Sequence, residues 1–96
     1  MPVDRAIAAD ERATRAEVAA TYARARAHVA DARVCYMHAD RAALPGADFW
    51  RNQAACSLAM AAHARAWARK QRATLDKPHP YDALARVERA AATRAA

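Results

Sequence analysis

Along the first part of the chain the apolar positions Val3, Ile7, Val18, Tyr22, Val29 and Tyr36, with Thr14, Ala25 and Ala32 between them, recur with a period near 3.6. That pattern predicts one helix over about residues 3–43, roughly 60 Å long at about 1.5 Å per residue. A second stripe runs Phe49, Cys56, Met60, His63, Trp67 and Thr74, with Trp50, Ala61, Ala64 and Ala68 on its flank. It predicts a helix over about 48–75 with Asp48 as N-cap. A third helix is predicted over about 80–94, with Pro80 at its first position, Leu84, Val87 and Ala91 as its apolar line and Tyr81 alongside.

The breaks are "LPGAD" at 44–48 and "KPHP" at 77–80, and no alternating β pattern lies between them. The expected fold is therefore all-α: residues 1–96 as a single helical domain, a long antiparallel hairpin with a short third C-terminal helix that completes a bundle or dimerises. The first helix outruns the second at its N-terminal end, and the third is the segment available to cover that overhang.

Composition changes the picture of the core. Hydrophobic residues make up 55% of the chain, but 32 of them are alanine and only 21 are larger. Alanine favours helix and lets backbones approach, yet buries little area, so a thin, extended core is expected, and a homo-oligomer or a partner would add the missing burial. The wealth of alanine and arginine is that of high-GC coding, bacterial or phage. No run is long enough to span a membrane, and Asp4, Arg5, Asp10, Glu11 and Arg12 do not suit a signal peptide. The expected location is cytoplasmic, where the two cysteines are reduced thiols.

Chemistry-bearing residues cluster in "VCYMHADR" (34–41) and "CSLAMAAH" (56–63). A hairpin turning at Pro45-Gly46 brings to one height residues whose numbers sum to about 91, which pairs Cys35 with Cys56 and His28 with His63. Those two layers lie about 10.5 Å apart along the axis, and zinc holds its ligands at about 2.0–2.3 Å, so they do not share one ion. A three-ligand set of Cys35, His38 and Cys56 is the remaining metal candidate, and a Cys35–Cys56 disulfide the redox one. The favoured reading is two buried thiols acting as small hydrophobes, with His63 a hydrogen-bonded core histidine partnered by His28 or Thr21. No nucleophile, base and orienting acid converge, one glycine rules out a phosphate loop, and the chain reads as a non-enzyme without a cofactor.

Charge supplies the functional reading. There are 16 Lys plus Arg against 10 Asp plus Glu, a net +6, and the excess concentrates in "RAWARKQRATLDK" (65–77). Arg51, Arg65, Arg69 and Arg72 fall on one side of the second helix, away from its predicted stripe. The expected function is a small non-catalytic adaptor, inhibitor or accessory subunit that binds a larger, acidic-surfaced protein through these arginines, with Trp50 or Tyr81 as aromatic anchors. The alternative is a nucleic-acid-associated regulator using the 65–77 face, and the third a metal- or redox-responsive protein built on Cys35 and Cys56. The paired helical substrates of type VII secretion share only the hairpin plan. Their Trp-x-Gly turn is here Leu44-Pro45-Gly46, and Tyr81 is followed four residues later by Ala85 in place of an acid.

Overall fold

The computed structural model describes residues 2–95 as three helices: α1 Pro2–Arg41, α2 Gly46–Thr74 and α3 Asp82–Ala95. Helices α1 and α2 form the antiparallel hairpin that the pattern predicts. The molecule is a rod of 77 × 14 × 13 Å with a radius of gyration of 22.2 Å. A compact chain of this length would have about 12.5 Å.

What holds the rod together is a pair of alanine columns. The buried residues of α1 include Val18, Ala25, Ala32 and Ala39, each seven after the last, and those of α2 are Ala47, Ala54, Ala61 and Ala68, again seven apart. Ala54, Ala61 and Ala68 are 0% exposed. A seven-residue repeat is the signature of helices that coil around each other, and a methyl side chain at every repeat lets the axes come close. The Cα cross-section of 14 × 13 Å, less a Cα cylinder about 4.6 Å across, leaves the axes no more than about 9 Å apart. Thr21 is the one polar residue buried in this seam among those described, and its hydroxyl accepts a hydrogen bond from Arg24 Nη2 at 2.8 Å.

This seam corrects the predicted second stripe. Phe49, Cys56, Met60, His63, Trp67 and Thr74 are all exposed, and the alanines placed on their flank form the contact. Trp67, read as core, is 38% exposed. The cause is steric: a column of large side chains facing α1 would hold the axes apart, whereas the alanine column allows contact along the whole length. On α1 the prediction is half met. Val18, Ala25 and Ala32 are buried, Tyr22 and Val29 lie at the edge, and Tyr36 is exposed.

The helix ends also differ in detail. Gly46 begins α2, and Pro45, its N-cap, offers no side-chain cap. Backbone bonds do the work instead, Ala47 N–H to Ala43 O at 3.2 Å and Asp48 N–H to Pro45 O at 3.1 Å. Asp48 therefore sits in the first turn, where its charge suits the helix dipole, and pairs with Arg51 at 3.5 Å. Before α3, the Asp82 carboxylate accepts the His79 N–H at 2.9 Å, the reach-back of a capping box, and Pro80 lies in the intervening turn.

Helix α3 does not complete a bundle: it packs on α1 and makes no contact pattern with α2. Its Ala85 is buried there, Arg89 pairs with Asp4 at 2.6 Å, and His79 meets Asp10 at 2.8 Å. As α1 numbers fall from 10 to 4, their partners rise from 79 to 89, so α3 continues the direction of α2 and covers the overhang. Its own apolar line, Leu84 and Val87 with Tyr81, stays exposed, which reverses the predicted facing of this helix. Because one surface ion pair, Arg89–Asp4, one hydrogen bond between the His79 ring and the Asp10 carboxylate, and one buried alanine dock α3, Asp4→Asn with Asp10→Asn is expected to loosen it. Amide exchange should then speed up across 82–95 while 18–68 keeps its protection, at a cost of about 0.5–2 kcal/mol for the two contacts together. Unchanged exchange in α3 would show that these contacts do not hold it.

Candidate interaction surfaces

The heptad geometry gives α2 three kinds of face. Facing α1 is the alanine seam. On one edge of it lies the column Arg51, Leu58, Arg65 and Arg72, each seven residues after the last, with Arg69 further round on the same side. On the other edge lie the half-buried Trp50, Ser57 and Ala64, and beyond them the exposed Phe49, Cys56, Met60, His63 and Trp67.

The basic edge is continuous with α1. Arg72 of α2 and Leu75 just past its end share a groove with Arg15, Val18, Ala19 and Tyr22 of α1. Arg15 is held by Glu11 at 3.8 Å and Arg51 by Asp48 at 3.5 Å. Among the described residues Arg65, Arg69 and Arg72 have no ion-pair partner, so their guanidinium groups present fork-shaped donors to whatever approaches. Arg65 is half-buried, and Arg69 and Arg72 are exposed.

The two aromatic anchors named from sequence occupy opposite ends of the rod. Trp50 is half-buried near the turn, stacked on His38 at 4.5 Å between ring centroids and edge-on to Phe49 at 5.2 Å. Tyr81 is 58% exposed and lines an apolar groove with Pro2, Val3, Ala6 and Leu84 at the open end. The structure does not bring either next to the arginine column.

The cysteines fall apart by rotation rather than by height. Residues lining one groove, such as Thr21 with Ala64 and Val18 with Leu75, have numbers summing to 85 and 93, which bracket the expected 91. Cys35 is half-buried at the α1 edge of the seam, whereas Cys56 is exposed on the outer column, so the expectation of two buried thiols holds for neither in full. Both are free thiols. His38 is engaged by Trp50, and among the described residues no three His, Cys, Asp or Glu side chains converge, so Cys35, His38 and Cys56 do not form a common site. His63 is exposed rather than a core histidine. It lies along the groove of Glu17, Thr21 and Arg24, where the Thr21 hydroxyl is already taken by Arg24, and His28 sits half-buried in the seam.

A maleimide reagent is accordingly expected to modify Cys56 well before Cys35, read by mass spectrometry of digested protein. The Cys35→Ser, Cys56→Ser chain should keep its helical circular dichroism, with a loss of about 1–3 kcal/mol at most from the half-buried position. Equal labelling rates would contradict the rotation described.

Sequence reasoning missed Phe49, Met60 and Trp67 as surface groups. The signal that could have shown it was the run Ala47, Ala54, Ala61, Ala68, a perfect seven-residue column beside the more conspicuous aromatic one. No helix is long and apolar enough to cross a membrane among the described residues. Comparison with protein-family models, with curated proteins and with solved structures finds no match for this chain.

Proposed function

We propose that this chain is a small, non-catalytic helical interaction protein, an adaptor, inhibitor or accessory subunit, whose partner is a larger protein presenting an acidic surface to the basic edge of α2. One observation carries the reading: Arg65, Arg69 and Arg72 lie on one side of α2 and, among the described residues, have no ion-pair partner. Carboxylates of a partner supply the complementary charge, and the Tyr22 ring in the adjoining groove supplies apolar contact area. The flanking residues favour protein over nucleic acid. Alanines interleave the arginines, and a base-stacking platform would need exposed aromatics among them. Trp67, the aromatic nearest in sequence, points to the opposite edge, into the groove of Thr14, Glu17 and Gln71.

The test is a binding titration in two arms. Purification from the native host, followed by cross-linking, should recover an acidic protein whose cross-links fall on 51–72. A mobility-shift titration with duplex DNA at about 50 and 200 mM salt should show weak binding that collapses between the two concentrations. Sub-micromolar DNA or RNA binding that survives the higher salt would replace this reading with the nucleic-acid one.

A further inference from the structure

Phe49, Gln53, Cys56, Met60, His63 and Trp67 advance by alternate steps of four and three residues, the spacing of a helix-packing seam, and all six are exposed. Phe49 and Met60 are each 54% exposed. Helix α2 thus carries two seams: the alanine one faces α1, and the larger one is unoccupied in the hairpin.

We propose that this second seam is a homodimer interface, in which α2 of one copy packs antiparallel on α2 of another about a two-fold axis near residue 58. The first support is area. The chain exposes 7029 Å². A compact chain of 10.5 kDa would expose roughly 5,400 Å², so about 1,600 Å² is in excess, against the roughly 800 Å² per partner that a standard interface covers.

The second support is self-complementarity. An antiparallel coil places opposite each other residues whose numbers have a constant sum, and a sum of 116 pairs every member of the stripe with another member. Phe49 then meets Trp67 of the second copy, ring against ring. Gln53 meets His63, amide against imidazole, and Cys56 meets Met60 beside the axis. Each pairing occurs twice, as an isologous contact requires.

The third is charge. Two copies of a chain with net +6 repel, and α2 itself carries Arg51, Arg65, Arg69, Lys70 and Arg72 against Asp48. The positions flanking this stripe are Asn52, Ala59 and Ala66 on one side and Trp50, Ser57 and Ala64 on the other, none of them charged. The opposite edge would set arginine against arginine. Lys70, the next position of the stripe, comes level with Gly46 of the second copy, which carries no charge. The dimer leaves both basic edges open, so it stands independently of the partner-binding reading and would present two such edges on one particle.

The experiment weighs the intact chain by light scattering under reducing conditions, at concentrations up to about 100 µM, above the micromolar end of standard-size interfaces. Twice the chain mass of 10.5 kDa is expected. Met60→Lys should return the mass to that of one chain with unchanged helical circular dichroism, because the site is exposed within the monomer. In a background of Cys35→Ser and Cys56→Ser, the pair Gln53→Cys and His63→Cys should oxidise to a dimer bridged 53 to 63 between copies. Within one α2 those residues lie ten positions, about 15 Å, apart, and a parallel pair would give 53–53 and 63–63 bridges instead. A single-chain mass throughout, or a dimer that survives Met60→Lys, overturns the proposal. A Met60-dependent dimer whose engineered bridges join 53 to 53 and 63 to 63 overturns its antiparallel arrangement.

Discussion

Replacing Ala61 by leucine is expected to destabilise the protein by about 1–3 kcal/mol, although the change adds an apolar group to an apolar seam. Ala61 is 0% exposed and sits mid-column between Ala54 and Ala68, where the two helix axes are close. Three more carbon-sized volumes have nowhere to go in a gap set by methyl groups. Either the axes separate, which strips contact from the neighbouring alanines, or the side chain takes a strained rotamer. For a domain of this size each kcal/mol corresponds to roughly 4–8 °C in thermal midpoint, so circular-dichroism melts resolve the effect easily. The companion measurement is Met37→Ala, which deletes a much larger side chain but at a position 53% exposed. It should stay within about 0.5 kcal/mol of the parent. A globular core would give the opposite ranking, with the large residue costly and the alanine tolerant. If Ala61→Leu melts with the parent, the alanine column is not what brings the helices together.

The second large effect concerns the basic edge. Changing Arg65, Arg69 and Arg72 together to glutamate is expected to slow association with an acidic protein partner by about 10–10³-fold at low salt, with a smaller change in dissociation. The reason is range. Unpaired guanidinium groups on one side of a rod add their fields at distances where no contact has formed, and they steer the encounter. The difference should shrink as ionic strength rises from about 0.01 to 0.15 M and the screening length falls from about 30 to 8 Å. Stopped-flow or surface-resonance rates at both conditions measure it. Each replacement changes the charge by two, taking the chain from +6 to zero, where colloidal solubility suffers. The triple glutamine version leaves +3, should remain soluble, and should show the same trend with a smaller amplitude. A phosphate partner would behave differently. Its equilibrium affinity would follow salt with a log–log slope of about −0.9 per phosphate contacted, alike for every sequence. A triple variant whose association rate matches the parent would remove the basic edge from function.

The amino-acid sequence by itself determined the helices and their order. Proline and glycine at 44–46 and 77–80 end elements by local backbone restriction, and alanine, arginine and glutamate favour helix between them, so boundaries read from sequence fall within two residues of those observed. The short turn then makes an antiparallel hairpin, because helices joined by four residues have little other choice. The length difference between α1 and α2 was likewise legible, and with it the overhang that α3 covers. Which face of α2 meets α1 was not legible from apolar periodicity, since two stripes with heptad spacing run side by side along it. Phe49, Met60 and Trp67 carry more hydrophobic area, yet Ala47, Ala54, Ala61 and Ala68 make the contact. A stripe's hydrophobicity is a property of one helix, but how closely two axes approach belongs to the pair, and close packing along the full length outweighs the area of a few large side chains. The same rotation moved Cys56 and His63 to the surface, separated Cys56 from Cys35, and placed the arginine column and the aromatic column on opposite edges. Those outcomes depend on the mutual orientation of two helices, a quantity that exists only once they have packed.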